Sequence, residues 1–132
     1  MQIDPIGRDG RVFSYVVHTN DAPQRTTFLT PDDALQQVGF VVHEAGAEVR
    51  RHYHLPLERK ITGTPEVLVV RSGRCEMDVY DDEQQLVDTR ELSAGDVMIM
   101  VGGGHGFRML EDTVLIEVKQ GPYYGTDEKK YF

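Results

Sequence analysis

The sequence predicts an all-β fold, a single domain closed as a barrel or a double-sheet jelly roll, from three observations. Turn-forming residues recur at intervals of about ten residues along most of the chain, as in β-sandwiches and barrels. The stretches between these turns are rich in β-branched and other apolar residues, and none shows the 3.6-residue apolar period of a helix of normal length. Short antiparallel strands need protected edges, and closure into a barrel or a double-sheet jelly roll is the usual solution.

Length, composition and charge narrow the possible classes of protein. A chain of 132 residues lies in the single-domain range, so we expect one domain over residues 1–132. Its 39% hydrophobic and 27% charged residues are ordinary globular values, which argues against a disordered or fibrous protein. The net charge of −8 would repel a phosphate backbone, so nucleic acid is not an expected partner. The apolar runs are far shorter than the roughly 20 residues that cross a bilayer, so we expect no membrane segment.

The start of the chain and its cysteine content predict the compartment. The first five residues carry neither the basic region nor the apolar region of a secretion signal. Cys75 is the only cysteine, so an internal disulfide is impossible. Together these features predict a cytoplasmic protein.

The N-terminal part of the chain predicts two strands, at residues 11–17 and 37–43, within an N-terminal region that ends at residue 45. Between them, Thr30 offers an N-cap and Pro31 a first helical position, which allows at most one helical turn. The next predicted unit is a hairpin of residues 66–71 and 74–80 around the turn at Gly73. Its second strand alternates, with Cys75, Met77 and Val79 on one face, so we expect a buried face and Cys75 pointing inward.

Four more strands complete the predicted barrel, at residues 86–92, 97–101, 107–110 and 114–118. In the last of them, Val114, Ile116 and Val118 share a face. The C-terminal tail, residues 121–132, is charged and aromatic, and the sequence leaves its packing undecided.

Three histidines are the main candidates for functional residues in the sequence. His52 and His54 are separated by one residue, and His105 follows three glycines. On a strand, residues i and i+2 point to the same side with Cα atoms roughly 6.5–7 Å apart, so two imidazoles there could bind one ion. Tyr53 would then point the other way.

The spacing of glycines and acids around these histidines resembles the motifs of the cupin superfamily. The upstream region reads Gly-(x)5-His-x-His-(x)11-Glu-(x)6-Gly, and a downstream Gly-Asp strand leads to a single histidine. The resemblance runs from Gly46 to about Val118, and it implies a jelly-roll barrel that holds a divalent metal with three histidines and one glutamate. The motif residues, in order, are Gly46, His52, His54, Glu66, Gly73, Gly95, Asp96 and His105.

The carboxylate ligand has two candidates. Eleven residues separate His54 from Glu66, where the family has three or four, and Glu58 stands at the three-residue spacing. Glu66 keeps the Glu-(x)6-Gly half of the motif and begins a strand, so it is the preferred ligand. If residues 55–66 instead form one long hairpin, Glu58 replaces it. The resemblance therefore implies a metal site of His52, His54, Glu66 and His105, with Glu58 as the alternative carboxylate.

The resemblance implies a metal-dependent cupin that acts on a small polar organic molecule, with dioxygenase and isomerase or epimerase chemistry both open. The cofactor would be one divalent ion. A ligand set of imidazoles and a carboxylate does not distinguish among Fe²⁺, Mn²⁺, Ni²⁺, Zn²⁺ and Cu²⁺. Glu58 would be the candidate for proton transfer if Glu66 is a ligand. The alternative is a non-catalytic cupin that binds a sugar or small acid, linked to polysaccharide or sugar-nucleotide metabolism.

Two further expectations concern partners. Four basic residues, Arg50, Arg51, Arg59 and Lys60, flank the proposed mouth of the barrel and either attract an anionic substrate or form an ordinary solvated surface. A homodimer is expected, because cupins commonly pair through their edge strands.

Overall fold

The computed structural model describes residues 3–132, and the chain divides into two compact units. The first unit joins Met1–Asp21 to Thr64–Phe132, and the second is Ala22–Gly63. The first unit contains two antiparallel sheets, and the second contains one short hairpin.

The larger sheet of the first unit has five strands. Neighbouring strands in this sheet are antiparallel. Ser14 and Glu66 both pair with Met100, so these three residues form one row across three strands. The strands, in their order across the sheet, are β1 (Ile3–Arg8), β2 (Arg11–Val17), β8 (Val97–Met100), β5 (Glu66–Ser72) and β10 (Val114–Lys119). The edges of this sheet are therefore β1 and β10.

The smaller sheet of the first unit has three strands, in the order β7 (Leu86–Ser93), β6 (Arg74–Tyr80) and β9 (Gly104–Met109). The turn from β5 to β6 depends on Gly73, which has φ = 91°. A Cβ atom there would overlap the carbonyl oxygen of Asp112, so glycine is needed both for the backbone conformation and for the close approach.

The core lies between the two sheets and follows from strand alternation. Cys75, Met77 and Val79 of β6 have no exposed surface, as the alternation of residues 74–80 predicts. They pack with Leu92 of β7 and with apolar side chains from the larger sheet, including Leu68, Val70, Met98 and Met100. Burying each such side chain stabilises the fold by roughly 1.5–3 kcal/mol.

The second unit contains the hairpin of β3 (Thr27–Phe28) and β4 (Gly39–Phe40). No strand or helix follows β4 until β5, and every residue from His43 to Lys60 is exposed. The strand predicted at residues 37–43 is thus reduced to two residues. His52 and His54 lie outside every strand, so the strand considered for this pair does not form.

The all-β prediction is confirmed, and the described residues contain no α-helix, only a 3-10 turn at Gly125–Glu128. The two sheets of the first unit do not close into a barrel. The predicted strands do not include β1, which contains Pro5; an edge strand tolerates proline. No helix among residues 3–132 has the length and apolar character needed to cross a membrane.

Candidate functional site

Glu66 and His105 meet between the two sheets of the first unit. Glu66 begins β5 and shares its inner face with Leu68 and Val70, which are core residues. His105 lies opposite Val79, whose side chain is also in the core, so the imidazole of β9 faces the larger sheet. The Nε2 atom of His105 is 3.1 Å from Oε2 of Glu66.

This approach is not a hydrogen bond. Oε2 of Glu66 is buried without any hydrogen-bond partner, His105 included. Glu66 is only 7% exposed. A buried polar atom without a partner lowers the stability of a fold by on the order of 1–3 kcal/mol, so burial of this carboxylate oxygen is destabilising.

Burial disfavours the charged form of both groups. It raises the pKa of Glu66 above the ordinary 4.5, and repulsion from the nearby carboxylate of Glu117 raises this pKa further. Burial also lowers the pKa of His105. This shift favours the neutral imidazole, which is the form that ligates metals.

Charged residues of β10 and of the C-terminal tail surround this pair. Glu117 and Lys119 lie opposite Leu68 and Glu66 in the sheet register, so they belong to the inner face of β10. Lys119 and Lys129 both lie near enough to Glu66 to lower its pKa, against the larger effect of burial. The sequence did not point to these three residues, although Glu117 and Lys119 alternate with the apolar set predicted for this strand.

That apolar set is on the opposite face. Val114, Ile116 and Val118 share a face as predicted, but their side chains are 46%, 49% and 62% exposed. The register of β10 with β5 puts Leu115, Glu117 and Lys119 on the inner side instead. An apolar alternation identifies a face, and only the neighbouring strands determine which side it takes.

The C-terminal tail packs beside His105. The ring of Phe132 lies 5.0 Å from the ring of Tyr80 in a T-shaped arrangement. Gly104, the neighbour of His105, leaves room for it, since a Cβ atom at this position would be 2.9 Å from the Phe132 ring. At the start of the tail, Nζ of Lys119 lies 5.1 Å from the ring centre of Tyr123.

The second unit carries the other two predicted histidine ligands. The rings of His52 and His54 are 5.3 Å apart and nearly perpendicular, and both side chains are exposed. Nδ1 of His52 donates a hydrogen bond to the Arg50 carbonyl at 2.7 Å, which leaves its Nε2 atom available as an acceptor or ligand. Arg51, His52, Tyr53 and Leu55 line a shallow, open depression.

The structure thus brings the predicted residues together as two pairs, one in each unit. The alternative carboxylate Glu58 is an exposed residue of the second unit. Among residues 3–132, no group of three or more His, Cys, Asp or Glu side chains is arranged to hold a metal ion.

The Glu66–His105 pair nevertheless fits two ligands of one ion. Metal bonds of about 2.1 Å to imidazole and carboxylate separate neighbouring ligand atoms by about 3.0–3.4 Å. The observed 3.1 Å falls in this range, and Oε2 of Glu66 has no hydrogen-bond partner. The donor set of one neutral imidazole and one carboxylate suits several divalent ions.

His18 has partners that the sequence did not reveal. Its Nδ1 atom is 3.0 Å from Oδ1 of Asp96, and its Nε2 atom is 3.4 Å from Oδ2 of Asp4. Asp96 is buried and also accepts a hydrogen bond from the Ser93 amide. His18 therefore links β1 to the turn before β8.

Comparisons with known proteins give no match: no protein-family model fits the chain, and neither a curated protein nor a solved structure resembles it significantly. The cupin resemblance therefore rests on the motif residues alone.

Proposed function

We propose that this protein is a metal-dependent cupin, with a fold of the jelly-roll type, that acts on a small polar organic molecule. The observation that carries the proposal is the contact between Glu66 and His105. Nε2 of His105 and Oε2 of Glu66, from opposite sheets, lie 3.1 Å apart without a hydrogen bond. The Oε2 atom is buried and has no hydrogen-bond partner. The two packed antiparallel sheets of the first unit support the fold assignment.

In this proposal Glu66 and His105 hold the ion, and the sequence motif adds His52 and His54. Two features of the second unit support that addition: the imidazoles lie side by side, and the Nδ1 atom of His52 is already used. A bound divalent ion would supply a Lewis acid or an activated water for the small molecule. Glu66 is preferred over Glu58 as the carboxylate because it alone contacts a predicted histidine ligand.

The carboxyl of Glu117 is better placed than Glu58 for proton transfer. It lies on the inner face of β10 and is close enough to Glu66 to raise the pKa of that residue. Its side chain is exposed, so it can exchange protons with solvent. A residue in this position could move a proton to or from a bound molecule while Glu66 stays on the ion.

Metal analysis of the untagged protein tests the proposal. We expect near-stoichiometric metal in the wild type and in Glu58→Gln, which is the matched control. We expect Glu66→Gln, His105→Ala and the double variant His52→Ala/His54→Ala to weaken binding of added Mn²⁺ or Zn²⁺ by tenfold or more in a calorimetric titration.

Other outcomes separate the alternatives. Full metal content in Glu66→Gln together with loss in Glu58→Gln would move the carboxylate role to Glu58. A wild type that binds none of the five candidate ions would overturn the metal proposal and favour the cupin that binds a sugar or small acid without catalysis.

A further inference from the structure

Lys119 lies beside the Glu66–His105 pair on the larger sheet. It is the register partner of Glu66 between β10 and β5, so the two side chains share the inner face of that sheet. Residues directly opposite each other in an antiparallel pair have Cβ atoms about 4.5–5.5 Å apart. Lys119 is also partly buried. Its ammonium group therefore belongs to the immediate surroundings of the pair.

Lys129 reaches the same pair from the C-terminal tail. The tail leaves the end of β10 on the larger sheet and ends on the smaller sheet, where Phe132 contacts Tyr80. Lys129 comes three residues before Phe132 and lies near enough to lower the pKa of both members of the pair. The tail therefore crosses from one sheet to the other beside Glu66 and His105.

Side chains rather than backbone hydrogen bonds attach this tail to the sheets. Within residues 121–132, the backbone–backbone hydrogen bond of the described chain is local and joins the Lys129 amide to the Thr126 carbonyl. The contacts of Phe132 with Tyr80 and Gly104 hold the end of the tail. A segment held in this way can move without breaking a strand pair, so Lys129 can adjust to a bound molecule.

Neither lysine is neutralised by a neighbouring acid. The ion pairs among residues 3–132 all have arginine or histidine as the cation, and none contains a lysine. Nζ of Lys119 instead lies 5.1 Å from the centre of the Tyr123 ring. Although Glu66 is directly opposite Lys119, its Oε2 atom is buried without a hydrogen-bond partner. A buried polar atom in this state calls for an explanation, such as a bound ion or ligand.

The charges around the pair favour an anion when a divalent ion is bound, and this step rests on the proposed function. Glu66 and Glu117 carry two negative charges when ionised, which the ion balances. The ammonium charges of Lys119 and Lys129 then remain. Ammonium groups bind carboxylates through charge-assisted hydrogen bonds, which are roughly twice as strong as neutral ones.

We propose that the small molecule is a hydroxy acid, with its carboxylate bound by Lys119 and Lys129 and its hydroxyl group directed to the Glu66–His105 pair. A hydroxy acid carries an anionic group and a hydrogen-bond donor within a few bonds, so it matches both the two ammonium groups and the unpartnered oxygen of Glu66. A neutral analogue leaves the lysines without a partner. Lys119 and Lys129 therefore determine specificity for acids over alcohols.

NMR of the lysine side chains tests this assignment directly. The chain contains four lysines, which are Lys60, Lys119, Lys129 and Lys130. Reductive methylation with isotope-labelled formaldehyde labels each of them and keeps its charge. We expect sodium lactate and sodium gluconate, added to the Zn²⁺-loaded protein, to shift the signals of Lys119 and Lys129 and to leave that of Lys60 unchanged. Their neutral counterparts, propane-1,2-diol and glucitol, should shift neither.

Calorimetric titration of the unmodified protein with the same two acids measures the contribution of each lysine. We expect Lys119→Gln and Lys129→Gln each to weaken binding of the acids about fivefold or more. Lys129→Arg keeps the charge and should lose much less. Lys130→Gln is the matched control, one position along the tail, and should bind like the wild type. All four variants should keep the wild-type affinity for Zn²⁺, and thermal melts check that they are folded.

Repeating both titrations in EDTA separates this inference from the metal proposal. A wild type that binds Zn²⁺ but shows no shift of Lys119 or Lys129 with either acid would overturn the inference and leave the metal proposal intact. If the wild type binds no Zn²⁺, shifts of these two lysines in EDTA would still support the hydroxy acid, and their absence would overturn both proposals. Equal binding of the acids and their neutral counterparts, or unchanged binding in both glutamine variants, would also overturn the inference.

Discussion

Strand β6 and residues 49–60 show how differently apolar side chains in a similar sequence pattern can be buried. Both segments alternate apolar with polar residues, yet Cys75, Met77 and Val79 of β6 have no exposed surface, while Tyr53 and Leu55 are more than two thirds exposed. The difference is that β6 has a strand on each side, β7 and β9, and a second sheet above it. Alternation therefore makes a face, and neighbouring strands turn that face into a core.

The two units should consequently respond very differently to the same substitution. Leu92 is fully buried in the first unit, and Leu35 is 55% exposed in the second. We expect Leu92→Ala to lower the free energy of unfolding by about 2–5 kcal/mol and Leu35→Ala by less than about 0.5 kcal/mol in urea denaturation. Similar losses for the two variants would contradict the exposed position of Leu35.

Gly73 of the first unit and Gly63 of the second extend the comparison from side chains to the backbone. Gly73 and Gly63 have nearly equal φ values of 91° and 90°, so alanine is strained at both. Only at Gly73 would the added Cβ also collide with backbone, that of Asp112 and Thr113, because nothing lies within 4 Å at Gly63. We expect Gly63→Ala to cost about 1 kcal/mol and Gly73→Ala about 2–3 kcal/mol or more. Thermal melts of both variants would contradict this if the two Tm shifts were equal.

The solvent-facing side of the smaller sheet contains an ion pair whose effect depends on pH. Arg108 donates two hydrogen bonds to Asp78, and Thr89 donates another, and these bonds lower the pKa of Asp78. Because the pKa is lower in the folded state, this contribution to stability is present above the ordinary carboxyl pKa and is lost as the pH falls through the folded value.

We therefore expect Asp78→Asn to reduce the free energy of unfolding by about 1 kcal/mol at pH 7, and by much less at pH 3. Asp33→Asn, at an exposed position of the second unit, is the control and should change little at either pH. Urea denaturation at both pH values checks the prediction, which fails if the loss caused by Asp78→Asn is independent of pH.

The contribution of Glu66 to the free energy of unfolding should change with pH in the opposite direction to that of Asp78. We expect this effect to be the smallest. Its pKa is raised by burial, so its ionisation opposes folding: stability is greatest below the unfolded pKa and declines as the pH rises through the folded value. In EDTA, Glu66→Gln should be more stable than the wild type at pH 8 and nearly equal to it at pH 4. Chemical denaturation at the two pH values measures this, with Glu58→Gln as the exposed control. A destabilised Glu66→Gln at pH 8 would show that the ionised carboxylate is satisfied in the fold.

The strands that were predicted well are those with strong local signals. Residues 11–17 and 74–80 become β2 and β6 at the predicted bounds, because turn residues and apolar alternation mark both. The strand predicted at 37–43 keeps only Gly39–Phe40. Its apolar residues lack an adjacent strand, and strand formation depends on a partner that the local sequence does not contain.

The candidate site was predicted in part for the same reason. His105 and Glu66 were identified from their motif spacing, and the structure places them in contact. Glu117, Lys119 and Lys129 were not, since their position follows from the register of β10 and from the return of the tail. The assignment of His52 and His54 to the same ion as Glu66 stays a prediction.

The all-β class, the alternation of Cys75, Met77 and Val79, and the candidate metal ligands could be predicted from the chain alone. The exposure of Ile116, the contact between Glu66 and His105, and the lack of a strand beside residues 49–60 depend on the fold. Turns and alternation arise from neighbours in the chain. Burial, pKa changes and strand pairing arise from neighbours in space.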